Sequence, residues 1–189
     1  GTDVSFDWTA TYFRIAFSGK SLTMKASETK WDVDAEKAAT RHNYYNVWID
    51  SPTSAEPHRI IEVVGTDTVI ELIDPAYLKK SRRAVHEVIV QKRTEGEQGK
   101  TTIHEFATDA KGHFFPAESL KERQLEFIGD SYTCGYGIDA TSRKERFTPE
   151  TENASRSYAG IVSRYFGADY VAIAHSGMVE NRFSFELLK

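Results

Sequence analysis

The chain has 189 residues, 40% hydrophobic and 28% charged, with a formal net charge of −4. No apolar run approaches the roughly 20 residues of a membrane span, and a single cysteine excludes a disulfide scaffold and any zinc site built from several thiolates. The acidic balance and the absence of a basic face argue against a nucleic-acid partner, and no cofactor motif is present. The densest basic cluster, Lys79-Lys80-Ser81-Arg82-Arg83, is short and reads as a solvated loop. The start, Gly1-Thr2-Asp3, lacks a charged region followed by an apolar one, so a signal peptide is either absent or already removed.

The first two thirds of the chain read as strands. Phe13, Ile15 and Phe17 fall on one face at period two, and the run from Ser21 to Ala26 alternates again. Tyr45, Val47 and Ile49 repeat the pattern. Ile60 to Val64 and Thr68 to Ile73 are β-branched runs split by the turn residues Gly65-Thr66-Asp67. Pro75 to Leu78 predicts one helical turn capped by Asp74. Ala84 to Lys92 is strongly apolar, and Thr101 to Phe106 is a weaker strand. Short strands at this spacing predict an all-β sandwich or jelly roll over residues 1–118.

The pattern changes near residue 120. Leu125 to Ile128 is a short apolar run that ends in Gly129-Asp130-Ser131. Tyr158, Ile161, Val162, Tyr165 and Phe166 then share one face of a helix, with Ser155 or Ser157 to cap it and Gly167 to end it. Tyr170 to Ala174 is apolar on both faces, as in a parallel strand covered on both sides. Strand, helix and strand make a βαβ unit, so residues 122–189 predict the opening of an α/β domain. Two strands, one helix and a short tail (Arg182 to Lys189) are too few for an ordinary doubly wound domain. The expectation is a two-domain chain whose second domain is truncated, atypical or completed by a second chain.

Ser131 is the most informative residue. It follows a buried-looking strand where the chain turns away, and the carboxyl ends of parallel strands form the ligand crevice of open α/β sheets. A serine there can attack a substrate, and its amide can help to bind an oxyanion. A plain loop or cap serine is the competing reading. Asp130 can steady the turn or simply form it. Asn153 can cap the next helix or face the site. Cys134 reads as a small buried packing residue, since nothing near it in sequence supports a thiolate.

The run Leu125 to Gly137, Leu-Glu-Phe-Ile-Gly-Asp-Ser-Tyr-Thr-Cys-Gly-Tyr-Gly, resembles the first block of the SGNH (GDSL-type) esterases, and more narrowly carbohydrate esterase family 2, the acetyl-xylan esterase type. Phe147 to Asn153 followed by Ser157-Tyr158-Ala159 is similar to the segment that follows in that family, and Ala174-His175-Ser176-Gly177 sits where its second block lies. His86 to Glu95 looks like the family's last jelly-roll strands. The resemblance implies an N-terminal jelly roll joined to an SGNH domain, and a serine esterase that removes acetyl groups from hemicellulose. Ser131 would be the nucleophile, and the amides of Ser131 and Gly177 would belong to the oxyanion hole. The implied partner is an acetylated polysaccharide or oligosaccharide outside the cell, in a secreted or periplasmic setting, with no cofactor and no metal.

The chain departs from that pattern at two points. No Gly-x-Asn-Asp block follows Gly177, and no Asp-x-x-His follows Ser131. The oxyanion asparagine and the catalytic base are therefore missing, and a serine without a base is a poor nucleophile. His175 is the only histidine after Ser131, and it sits where the family does not place its base. His42, His58, His86, His104 and His113 show no short metal spacing and read as surface or sheet residues. Trp8, Trp31, Trp48, Tyr12, Tyr44 and Tyr45 could stack on sugars, but most fall on alternating strands, which leaves Trp31 as the best exposed platform. Three readings compete: an esterase completed elsewhere, a carbohydrate-binding jelly roll with a non-catalytic SGNH remnant, and a fragment with an exposed apolar edge.

Overall fold

A computed structural model of the chain describes residues 2–31, 40–50, 56–117 and 121–178. Strands β1 (Val4–Phe6), β3 (Leu22–Thr29), β6 (Thr68–Glu71) and β8 (Lys100–Thr108) form one antiparallel sheet in the order β1-β8-β3-β6. Strands β2 (Tyr12–Ser18), β4 (Asn43–Ile49), β5 (Arg59–Val63), β7 (His86–Lys92) and β9 (His113–Phe115) form a second, in the order β5-β4-β7-β2-β9. The period-two residues of the two sheets meet in one core. Phe17, Leu22, Met24, Tyr45, Val47 and Val90 are all fully buried there, and each such side chain stabilises the fold by about 1.5–3 kcal/mol. Helix α1 (Pro75–Lys80) begins as expected, with the Asp74 carboxylate accepting from the Ala76 N–H at 2.7 Å.

Strand β8 is the longest, although its sequence pattern is weak. It lies between β1 and β3, and its register follows β3 across a bulge at Lys25/Ala26. Neighbouring strands hold it in place, so it needs only Thr101 and Ile103 as buried residues. The three-residue strands β1 and β9 are too short to show a period at all.

Beyond residue 121, β10 (Gln124–Gly129) and β11 (Asp169–Ala174) pair in parallel, from Gln124 opposite Asp169 to Gly129 opposite Ala174. Helix α2 (Ser131–Cys134) follows β10, and α3 (Tyr158–Tyr165) precedes β11. A second, smaller core joins Ala10 of the sandwich to Ala154, Ala159, Tyr170 and Ala172, with Leu125 and Phe127 packed on it.

Here the burial differs from the sequence expectation. The predicted inner face of α3 is largely exposed: Tyr165 is 83% and Ile161 54% accessible, and Tyr158 and Phe166 are also open. The buried face is Ala159, Gly160 and Ser163. Small residues win because the helix lies very close to the turn before it. A Cβ on Gly160 would fall 2.2 Å from the Ser155 carbonyl oxygen. The two-sided covering expected for Tyr170 to Ala174 is likewise not seen. Tyr170, Ala172 and Ala174 are buried, whereas Val171 and Ile173, together with Ile128 of β10, face outward. The tail from Arg182 to Lys189 lies outside the described residues, and no helix among those described is long and apolar enough to cross a membrane.

An apolar surface of this kind predicts association. The chain is expected to bind a hydrophobic fluorescent dye and to self-associate with rising concentration. The double variant Ile128→Lys and Ile161→Lys should lower both. Unchanged fluorescence and light-scattering mass would show that these residues do not act as one surface.

Candidate active site

Strand β10 delivers the chain to a tight turn. The Asp130 carboxylate accepts from the Tyr132 N–H at 3.0 Å, and its carbonyl accepts from the Thr133 and Cys134 amides. Gly135 closes α2 with φ of +75°, and a Cβ there would fall 2.3 Å from the Asn153 carbonyl oxygen. Only glycine meets both conditions. Ser131 is left partly exposed at the carboxyl end of β10, while Thr133 and Cys134 are buried beneath it.

Strand β11 ends beside it. The His175 N–H donates to the Gly129 carbonyl at 3.3 Å, so the turn of residues 175–178 leaves the sheet next to the Ser131 turn. His175 Nδ1 lies 2.8 Å from the Ser176 carbonyl oxygen. The carbonyl can only accept, so Nδ1 carries the proton in that contact. Gly177 follows with φ of +77° and is exposed. The parallel register thus brings Asp130, Ser131, His175 and Gly177 to one edge of the sheet. Among the described residues, no hydrogen bond joins the Ser131 hydroxyl to His175.

Beneath these turns lies a cluster that sequence reasoning missed. Lys92, Arg93, Thr94 and Glu95 leave the end of β7 and are all buried, as is Glu152. Lys92 Nζ donates to the carbonyls of Thr94 (2.7 Å) and Glu95 (3.0 Å). Arg93 donates to Asn46 Oδ1 (2.9 Å), Asp139 Oδ2 (2.7 Å) and the Glu150 carbonyl (2.8 Å). Glu95 Oε2 accepts from the Ser176 N–H at 2.5 Å and lies 3.7 Å from Cys134 Sγ. The apolar period that marks β7 does not reveal the burial of these residues, because a period reports sheet faces and not what docks on a strand end.

Burial decides the protonation states in this cluster. It pushes the Glu152 carboxyl well above its usual value, and the negative charge of Glu95 adds to the shift. It pulls Lys92 down to about 8, against the opposing pull of Glu152, Asp7 and Glu95. The Cys134 thiol is pushed up by burial and by the two carboxylates, so it stays protonated and inert, as a packing residue should. Ligand atoms of Glu95, Cys134 and Glu152 lie within 4.8 Å of one another, beside the positive charge of Lys92.

Other expected residues have different roles. Asn153 neither caps a helix nor reaches Ser131. Its side chain accepts from Asn46 Nδ2 (3.0 Å) and donates to Asp139 Oδ2 (2.8 Å). Trp31 is half exposed, with its indole N–H donating to the Gly96 carbonyl, and Trp8 is also exposed. Trp48 and Tyr45 are buried.

The family model described as "Carbohydrate esterase 2 N-terminal" matches residues 1–117. The chain belongs to carbohydrate esterase family 2. Within the family it is 30% identical over 179 residues to the acetylxylan esterase / glucomannan deacetylase of Cellvibrio japonicus, covering 92% of this chain and 42% of that protein. It is 29% identical over 165 residues to the cellulase/esterase CelE of Acetivibrio thermocellus, covering 87% of this chain and 19% of that one. A family two carbohydrate esterase from Clostridium thermocellum, solved with cellohexaose, superposes with a TM-score of 0.76 at 27% identity, over 92% of this chain and 47% of that structure. The chain thus spans less than half the length of these family members.

Two consequences of the buried cluster can be measured. Arg93→Ala should destabilise the chain by about 1–3 kcal/mol in urea, because it leaves the Asn46 side-chain oxygen and the Glu150 carbonyl without their donor, while Asp139 keeps Asn153 and Arg156. The raised Glu152 carboxyl binds a proton in the folded state that the unfolded chain releases above about pH 4.5. Its contribution is complete below that value and is lost as pH rises through the folded value. Glu152→Gln should therefore flatten the fall in urea midpoint between about pH 5 and pH 7, the range before Lys92, pulled down to about 8, begins to lose its own proton. Parallel pH profiles for the two proteins would refute this.

Proposed function

We propose that the chain carries the nucleophile half of an SGNH-type serine esterase that removes acetyl groups from hemicellulose or related carbohydrate esters. The observation that carries the reading is the placement of Ser131 at the carboxyl end of β10, with the His175–Gly177 turn bonded beside it through Gly129. In this reading residues 1–118 are a jelly roll and residues 122–189 are the first part of the SGNH domain. The uncovered side chains of α3, β10 and β11 are where the rest of that domain, in the same or a second chain, would pack. The partner is an acetylated polysaccharide or oligosaccharide, in line with the relative named acetylxylan esterase / glucomannan deacetylase, and the setting is secreted or periplasmic.

Ser131 Oγ forms a bond to the acetyl carbon, and the bond from that carbon to the sugar oxygen breaks. The hydroxyl proton ends on that sugar oxygen. The amides of Ser131 and Gly177 stabilise the oxyanion between these events, and water then releases acetate. With no Asp-x-x-His block in the sequence, both steps lack a dedicated base, and turnover by this chain alone is at the level of an incomplete triad. A carbohydrate-binding role without turnover is the second reading, favoured by the exposed indoles of Trp8 and Trp31.

An activated ester separates the two. p-Nitrophenyl acetate should add one acetyl group, seen in the intact mass and lost in Ser131→Ala, and deacylation without a base should be slow enough to trap it. Release of acetate from acetylated xylan should run roughly 1,000-fold or more below a complete esterase. A folded chain that gains no acetyl group at Ser131 would end the esterase reading. Xylan binding that survives Ser131→Ala would then favour the second.

A further inference from the structure

We propose that Glu95 is a positioning residue for the Ser131 site, a carboxylate that the N-terminal sandwich inserts beneath both active-site turns to hold the Gly177 amide in register with the nucleophile. The inference rests on the esterase reading above and extends it to a residue outside the α/β part.

Glu95 Oε2 touches both turns. It accepts from the Ser176 N–H at 2.5 Å, and Ser176 directly precedes Gly177. It lies 3.7 Å from Sγ of Cys134, the last residue of the helix that begins at Ser131. One oxygen atom therefore ties the nucleophile's helix to the amide one residue before the proposed oxyanion donor.

Glu95 itself has little room to move. Its N–H donates to Glu152 Oε2 at 3.2 Å, and its carbonyl accepts from Lys92 Nζ at 3.0 Å. Both of those partners are buried. The chain is fixed two residues earlier as well, since the Arg93 N–H donates to the Tyr44 carbonyl and the Arg93 carbonyl accepts from the Ala154 N–H. A charge-assisted bond from a buried carboxylate to a backbone amide is stronger than a neutral one, and the low local dielectric raises its value further.

The consequence is specific to the transition state. Gly177 donates to an oxyanion that exists only during acyl transfer, so a shifted 176–177 peptide slows acylation without weakening ester binding. Displacements near 1 Å are enough to slow a reaction about 100-fold.

The test measures the acylation rate of Ser131 by p-nitrophenyl acetate, and the ester concentration at half-saturation, for the 189-residue chain, Glu95→Ala and Glu95→Gln. The amide proton of Ser176 is followed by NMR in the same proteins. Glu95→Ala should acylate roughly 10- to 100-fold more slowly with half-saturation unchanged. Glu95→Gln, whose amide oxygen can still accept, should recover part of that loss, and the Ser176 amide proton should move upfield in both variants. If Glu95→Ala does not fold, the Gln variant carries both readouts. Wild-type acylation rates in a folded variant, or a change confined to half-saturation, would overturn the proposal. Failure of the parent chain to acylate at all would instead sink the esterase reading, and the Ser176 shift would report separately whether the tie exists.

Discussion

The arrangement depends on charges buried where the sandwich meets the parallel strands. Lys92, Arg93, Glu95 and Glu152 have no access to water, so each must find a partner inside the protein. Those partners lie on opposite sides of the junction: Arg93 reaches Asp139, and Glu95 reaches Ser176. Separating the two parts would take Arg93 from Asp139 and the Glu150 carbonyl and Glu95 from Ser176 and Glu152, while Lys92 would keep its two carbonyls and Arg93 its bond to Asn46. The penalty for that is far larger than the gain from making any single pair, so the junction is held chiefly by what breaking it would expose. A junction built this way tolerates little sliding, because hydrogen bonds to buried charges are directional.

That rigidity bears on the second feature of the molecule, its uneven packing. The small core around Ala10, Ala154 and Ala172 is too thin to fix the orientation of β10 and β11 by hydrophobic contact alone. Close approach is achieved instead with alanine, glycine and serine on the inner face of α3. The large residues of the same helix point outward. An amphipathic helix that buries its small side and exposes its large one has two packing surfaces, with the turn at residues 154–156 and β11 on the first and only solvent on the second in the residues described.

The sandwich was legible in the sequence because its strands place apolar residues at period two on the face that meets the core, although the opposite face of β4, with Asn46 and Trp48, is buried as well. Phe13, Ile15 and Phe17, or Tyr45, Val47 and Ile49, carry that alternation directly, and the structure places them as the period implies. Strand β8 shows the limit: a strand held by neighbours on both sides needs little apolar signal of its own. Helix α3 shows a different limit. Its period gave the element and its length, but the inner face was assigned by size of side chain, and here the closest approach selects the smallest residues. The site was legible only in part. Gly129-Asp130-Ser131 after an apolar run marks a strand-end turn, and Ala174-His175-Ser176-Gly177 marks another, but nothing local says that one carboxylate sits under both.

Glu95 explains why that relation stays hidden. Its meaning comes from contacts 39 residues away at Cys134 and 81 away at Ser176. No window of sequence spans them, and composition cannot distinguish a buried glutamate from a solvated one. What the sequence does contain is an imbalance: an ammonium, a guanidinium and a carboxylate within four positions, directly after a strand whose other residues are core. In a free loop those charges would point to water. They are buried here because the strand end is covered by another part of the chain, and a covered end needs paired charges to meet the polar backbone of the turns above it. The same reasoning makes the sandwich more than a neighbour of the Ser131 turn: it supplies the anion around which both turns are folded.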